Sequence, residues 1–316
     1  MKVLLAFFRM IRPLNLFFIL LTQSLFQYCL LMPALKNSGL TPLLTNSYGV
    51  GLLVSSVCIA AAGYIINDYF DQNIDRINKP GKLILERYIS RRWAMFWHFA
   101  LSVCGLAGSA YVGWKVHHHL GLLAANGCCV VLLWFYSTQF KRQALVGNLI
   151  IALLTAWVIG ILWWIEVQRV MSRPLSLLEL QAHSRIFKFT VLYGGFAFII
   201  SLVRECAKDI EDITGDARYG CRTLPIVWGI QATKIFMITW MCVLIAALLI
   251  ITVYTLPLGW YYFIGYSVLL ILTPLIYTTR SIWIREQPAA FHAISNQIKF
   301  VMLTGILSML FLLYYA

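Results

Sequence analysis

The chain has 316 residues, of which 61% are hydrophobic and 12% charged, with a formal net charge of +13. Soluble domains carry about 25% charged residues, so this composition, with a mean hydropathy of +0.79, excludes a water-soluble globular protein. It predicts an all-α, polytopic membrane protein.

Nine apolar stretches come close to the ~20 residues that a bilayer requires. In chain order they are Pro13–Leu35, Val50–Phe70, Trp93–Trp114, Leu120–Tyr136, Val146–Ile165, Phe187–Val203, Ile235–Tyr254, Leu256–Ile276 and Ile298–Tyr315. The first is too long for a signal-peptide core, lacks a small-x-small cleavage site and is followed by further spans, so it is expected to be retained. A tight turn near Pro257 separates the seventh from the eighth. The segment Glu166–Ile186 is the longest on the outer face, and a short helix at the membrane surface is expected within it.

Nine alternating spans place nineteen of the 25 Lys and Arg residues on one face, including Lys2, Arg9, Arg12 and the six between Arg76 and Arg92. The other face holds Lys36, Lys115, Arg169, Arg173, Arg185 and Lys188. By the positive-inside rule the first face is cytoplasmic, with the amino terminus inside, the carboxyl terminus outside and the cell (inner) membrane as the location. Topology thus accounts for most of the net charge, and no nucleic-acid partner is implied. The eight cysteines are scattered through apolar segments without a C-x-x-C pair, which reads as reduced, buried thiols rather than a disulfide or zinc framework. His117–His119 reads as a solvated loop. No linker or second soluble domain interrupts the chain.

All six aspartates fall in two clusters, Asp68/Asp71/Asp75 and Asp209/Asp212/Asp216, with the same i, i+3, i+7 spacing. On a helix such positions lie within an arc of roughly 60°. Carboxylates so concentrated repel one another unless cations sit among them, and hard divalent ions such as Mg²⁺ are the natural candidates. Asn67 adds an amide oxygen on the same edge as Asp71 and Asp75. In the second cluster acids alternate with bases, so carboxylates can take metal ions while Lys208, Arg218 or Arg222 meet phosphate oxygens. Charges at a span end often do no more than anchor it in the headgroups. Two clusters on one face, holding every aspartate of a chain that otherwise avoids acids, favour function.

The patterns N-D-x-x-D-x-x-x-D at Asn67–Asp75 and D-x-x-x-D at Asp212–Asp216 resemble the signatures of the UbiA superfamily of intramembrane prenyltransferases. Tyr136-Ser137-Thr138-Gln139-Phe140-Lys141-Arg142 resembles the tyrosine and Lys-Arg loop of that family. The resemblance spans the whole chain and implies one domain over residues 1–316, with nine transmembrane helices around a central, lipid-accessible cavity. It implies Asn67, Asp71 and Asp75 as a first Mg²⁺ site and Asp212 and Asp216 as a second, with Asp68 and Asp209 sharing the repeat and able instead to hold basic neighbours. It further implies a diphosphate-binding set of Lys141, Arg142 and Tyr136, to which Lys208, Arg76 and Arg222 are added as nearby groups. Asp71, Asp75, Asp212 and Asp216 are the expected catalytic carboxylates. Aromatic residues in the spans, among them Tyr64, Phe70, Trp134, Phe135, Trp157 and Tyr193, could line a tail channel.

The activity implied is Mg²⁺-dependent transfer of a polyprenyl group from a polyprenyl diphosphate to a lipophilic or phosphate-bearing acceptor in the bilayer. Acceptors across the family include aromatic rings, haem and chlorophyll precursors and the hydroxyl of geranylgeranylglyceryl phosphate. The strings running Asn67–Pro80 and Lys208–Pro225 most resemble the geranylgeranylglycerol-phosphate branch, whereas Lys82–Ser90 departs from the Pro- and Gly-containing turn of many members. A cation transporter is the rival class. Transporters place polar groups near the midplane on broken helices, whereas both clusters here sit at span ends among basic residues suited to phosphate.

Overall fold

The computed structural model describes residues 2–78, 88–117, 120–172 and 174–315. Among these, nine helices are long and apolar enough to cross a membrane: Pro13–Asn37, Asn46–Asn78, Arg91–Val116, Gly121–Thr138, Val146–Gln168, Leu177–Glu211, Ile230–Thr255, Tyr261–Ile284 and Pro288–Tyr315, here spans one to nine. They correspond one for one to the expected stretches. An additional helix, Lys2–Met10, precedes them, and two short ones, Ile213–Arg218 and Leu224–Val227, link spans six and seven. The described residues contain no β-strand, and an isolated bridge joins Gln143 and Arg222. The protein is an integral, multi-pass, all-α membrane protein. Lys79, Lys82, Arg87, most of the Lys82–Ser90 segment, His118, His119 and Arg173 lie outside the described residues.

Span two has 33 residues and span six 35. At 1.5 Å per residue each is roughly 50 Å long, well over the ~30 Å of a hydrocarbon core, so each continues as helix past the apolar stretch. Span two carries Asp68, Asp71 and Asp75 on its extra turns, and span six carries Asp209, with Asp212 and Asp216 just beyond its end. The surface helix expected within Glu166–Ile186 is not formed among the described residues. Span five's helix runs on to Ser172, and span six begins at Leu177, where Ser176 and Glu179 close a reciprocal capping box. Span eight begins at Tyr261 rather than Leu256, because the chain first turns through Gly259 at φ 75°. Span nine begins at Pro288, ten residues before the expected Ile298. His292, Ser295, Asn296 and Lys299 dilute its hydropathy there, and all four line an internal cavity.

Spans one and eight each contain a π-helical segment, Phe26–Leu31 and Val268–Leu272, ending just before Pro33 and Pro274. Proline cannot donate to the carbonyl four residues back and its ring crowds that carbonyl, so the helix widens ahead of it. In span eight the Thr273 hydroxyl donates to the Val268 carbonyl at 2.8 Å, satisfying a backbone group inside the bilayer.

Spans two and three approach closely over small residues. A Cβ on Gly105 would lie 2.7 Å from Ile59 Cγ1 and 2.9 Å from the Ser55 carbonyl. Spans one, two and five are tied at mid-depth by Gln23, whose amide donates to Ser56 Oγ at 3.0 Å and to the Val158 carbonyl at 3.1 Å. One apolar cluster, around Phe26, Leu35, Leu52, Ile159 and Ile186, packs spans one, two, five and six. A second, around Ile200, Met237, Leu275 and Ile298, packs spans six to nine, and residues of both line a central cavity.

Candidate active site

The cavity has two storeys. The upper, of about 850 Å³, is lined by Asn67, Asp68, Asp71, Asp75, Tyr136, Lys141, Lys208, Asp209, Asp212 and Asp216, ten of the thirteen residues nominated from the sequence. The lower, about 240 Å³, is an apolar chamber walled by spans one, two, four, five, six and nine, with Phe18, Ile59, Leu133 and Met302 among its surfaces. Arg12, Asn67, Tyr136, Arg204, Glu205 and Lys208 border both and form the collar between them. Tyr64, Trp157 and Tyr193 line the chamber. Phe70 and Trp134 do not: they pack edge to face on each other, 6.0 Å between centroids, and Phe135 packs on Phe140.

Asn67 and Asp71 lie one helical turn apart on span two, and the amide nitrogen of Asn67 donates to Asp71 Oδ2 at 2.7 Å. Asp71 Oδ1 receives Lys141, which projects from the short turn Phe140–Arg142 between spans four and five. That turn is anchored to the second motif, because the backbone N–H of Arg222 donates to the Arg142 carbonyl at 2.7 Å. It also packs tightly on span five, where a Cβ on Gly147 would fall 2.8 Å from Lys141 Cα. Asp68 takes a different partner, Arg12 Nη2 at 2.6 Å, and the Arg12 guanidinium lies 5.1 Å from the Tyr64 ring centroid. Burial works against the charge on Arg12, but Asp68, Tyr64 and Asp71 together outweigh it and hold the guanidinium pKa above its ordinary value.

The second motif turns a corner. Span six ends at Glu211, Asp212 leaves helical geometry at φ −93°, ψ 6°, and the helix Ile213–Arg218 follows. Asn78, at the end of span two, grips this corner with both ends of its amide. Its Nδ2 donates to the Asp212 carbonyl at 2.9 Å, and its Oδ1 accepts from the Gly215 N–H at 2.8 Å. Gly215 is required there, since a Cβ would lie 2.5 to 2.6 Å from the Asn78 amide. Asp209 Oδ2 accepts from Asn148 Nδ2 of span five at 2.7 Å. Lys208 binds Glu205 at 2.8 Å, which also receives Arg204 at 3.1 Å.

Arg76, Arg142 and Arg222 are exposed and lie outside the cavity lining. Conversely, Arg12, Asn78, Asn148, Arg204, Glu205 and Lys299 line or brace the site without having been singled out for it. Arg12 and Lys299 had been read only as topology markers. Asn78 belongs to the first recognised string and Arg204 and Glu205 lie just before the second, but their roles depend on partners far away in the chain or on burial.

The donor set suits a hard divalent cation. Carboxylates from two spans face one cavity, and Asn67 Oδ1 is a buried acceptor with no hydrogen-bond partner among the described residues. No three Asp, Glu, His or Cys side chains of the described residues converge tightly enough to enclose an ion by themselves. Mg²⁺ does not need such a cage, since it is commonly held by one or two carboxylates, waters and the phosphates of a substrate.

The profile of the UbiA prenyltransferase family matches residues 25–314. The chain belongs to the UbiA prenyltransferase family. It is therefore a prenyltransferase, and the transporter alternative falls. A digeranylgeranylglyceryl phosphate synthase from Methanosphaera stadtmanae is 29% identical over 280 residues, covering 85% of this chain and 90% of that protein. The enzyme of the same name from Thermococcus sibiricus is 32% identical over 213 residues, 67% of each chain. Among solved structures, a UbiA homologue from Archaeoglobus fulgidus bound to DMAPP and Mg²⁺ shares the fold with a TM-score of 0.61 at 15% identity, covering 98% of this chain and 100% of that one.

Proposed function

We propose that this UbiA prenyltransferase, acting as one domain over residues 1–316, carries out Mg²⁺-dependent transfer of a polyprenyl group from an allylic polyprenyl diphosphate to the hydroxyl of geranylgeranylglyceryl phosphate. The observation that carries the reading is the stacking of a charged storey, built from both aspartate motifs and Lys141, on an apolar chamber. A prenyl diphosphate has the same division, a head that needs cations and a tail that prefers hydrocarbon. The acceptor is supported by the two synthases named above, and Mg²⁺ by the ion bound to the A. fulgidus homologue.

In this reading Asn67, Asp71, Asp75, Asp212 and Asp216 hold Mg²⁺. When bound, Mg²⁺ supplies positive charge to the diphosphate oxygens as the allylic C–O bond breaks. Lys141, already poised at Asp71, donates to the same oxygens, and Tyr136, at the collar, lines both storeys where the head and tail of the donor meet. The chamber excludes water from the allylic carbon. The acceptor hydroxyl oxygen attacks that carbon, an ether forms, and the hydroxyl proton departs with the diphosphate. Asn148 and Arg12 keep Asp209 and Asp68 in place.

The test is transfer of a labelled geranylgeranyl group by the purified protein in liposomes, with geranylgeranylglyceryl phosphate and a panel of aromatic acceptors. The expected result is a Mg²⁺-dependent ether product, lost in both Asp71→Ala and Asp212→Ala while each variant still inserts in the membrane. Full activity in either variant removes the assigned metal roles, and a ring-alkylated product replaces the acceptor.

A further inference from the structure

The upper storey is not uniformly acidic. Beside the second aspartate cluster, the last turns of span six and the first half of span nine bring Arg204, Lys208 and Lys299 into the lining of the same cavity. Arg204 and Lys208 share a single carboxylate, Glu205, and Arg204 Nε is a buried donor with no partner among the described residues. Among the described residues Lys299 hydrogen-bonds only to Asn296 Oδ1, at 3.4 Å, and it feels the like charges of Arg204, Lys208 and Arg12, with Glu211 opposing them. Glu211 is itself engaged by His292 at 2.9 Å. With Asp209 held by Asn148 and Glu211 by His292, Glu205 is the one carboxylate in an ion pair with this half-buried trio among the described residues, an arrangement that an anion would relieve. The diphosphate of the donor has its own pole at the aspartates and Lys141. The storey, at about 850 Å³, lies towards the upper end of the range for pockets that take a whole drug-sized ligand, so it can hold a second headgroup.

We infer that Arg204, Lys208 and Lys299 form the seat for the phosphate of the acceptor, which makes this a site for phosphate-bearing lipids rather than neutral or aromatic ones. The inference rests on the proposed prenyl transfer and assigns Lys208 to the acceptor instead of the leaving diphosphate. The guanidinium and two ammonium groups match a phosphate dianion in charge and donor number, and the seat leaves the lipid's glyceryl hydroxyl free to face the aspartate wall.

The experiment compares Lys299→Met and Lys299→Arg with the wild type in liposomes, varying geranylgeranylglyceryl phosphate at saturating geranylgeranyl diphosphate and then the reverse. Losing one charge-assisted hydrogen bond raises the KM for the acceptor about tenfold or more in Lys299→Met. The KM for the diphosphate stays within about twofold, which also reports an intact fold, and Lys299→Arg retains most of the acceptor affinity. Equilibrium dialysis of labelled acceptor without Mg²⁺ gives the same ratio, independently of catalysis. Phosphate-free geranylgeranylglycerol discriminates little between wild type and Lys299→Met. An unchanged acceptor affinity in Lys299→Met overturns the seat while leaving prenyl transfer standing. A wild type that binds and alkylates only aromatic acceptors overturns both the seat and the acceptor of the proposed function.

Discussion

Asn78 is the residue through which the two acidic motifs share one geometry. It spans 134 positions of sequence to hold the Asp212 carbonyl and the Gly215 N–H, so the corner carrying Asp212 and Asp216 is set by the end of the helix that carries Asp71 and Asp75. Asn78→Ala frees both backbone groups, and Gly215→Ala forces the amide aside. Each is expected to lower kcat about tenfold or more while moving either substrate's KM much less, because a small displacement of positioned groups is costly in the transition state. Steady-state assays that separate kcat from KM check this, and equal losses in every parameter point to unfolding instead. In the proposed mechanism Lys141→Met removes a donor to developing negative charge and is expected to cost about 10²-fold in kcat. A Lys141→Met enzyme within a few-fold of wild type places that charge elsewhere. The cavity-facing carboxylates were legible from their spacing: one helix face holds Asp68, Asp71 and Asp75, whereas the chain bends at Asp212, so that Asp209 and Asp216 reach the same cavity from two helices. Arg12, Arg204 and Lys299 were not, since at a span end a functional cation and a topology-setting one look alike until the cavity is seen. Arg142 and Arg222 stand outside the cavity lining, and what joins their loops is a backbone hydrogen bond, on which their side-chain charge has no bearing.

At the scale of elements, hydropathy located all nine helices, and their boundaries drifted wherever polar residues face inward. Span nine shows why. Its first turns carry His292, Ser295, Asn296 and Lys299 towards the cavity, and a window that averages around the helix cannot distinguish an inward polar face from a loop. The same averaging hid the helical continuation of Leu177–Ile186 in span six, which a capping box starts and mixed polarity disguises. Contacts between spans make a separate prediction. Gly105 lets span three lie against Ile59 and the Ser55 carbonyl of span two, with backbone on one side that cannot yield. Gly105→Leu is therefore expected to destabilise the two-three pair by about 1–3 kcal/mol or more, with Gly105→Ala milder in the same direction. Heating detergent-solubilised protein in steps and following the surviving monodisperse fraction measures it. A Gly105→Leu variant as heat-resistant as wild type contradicts the close approach.

For the whole molecule, nine spans are an odd number, so the two chain ends should lie on opposite faces of the membrane and the site on only one of them. The helix Lys2–Met10 fixes which end shares the face of the site. Ala6 and Met10 pack in a cluster with Ile65 and Ala94, and Leu5, Ala6 and Arg9 line the upper storey beside the aspartates. At the other end Tyr315 stacks on Trp260, 4.9 Å between centroids, in a cluster of tyrosines of the kind that settles at a membrane–water interface. The face of the aspartates also carries nineteen of the 25 Lys and Arg residues, so we propose that it is cytoplasmic. Exposed positions on the two faces allow a direct measurement: Asn37 at the end of span one, and Gln287 between spans eight and nine. In a background lacking the eight native cysteines, Asn37→Cys should react with a membrane-impermeant maleimide added to intact cells, and Gln287→Cys only after permeabilisation. The reversed pattern places the aspartates outside and breaks the positive-inside assignment. Labelling of both from outside breaks the nine-span count, because those positions are separated by seven crossings. Only the expected pattern puts both headgroup seats where soluble diphosphate can be released on the basic face, with both prenyl tails remaining in the bilayer.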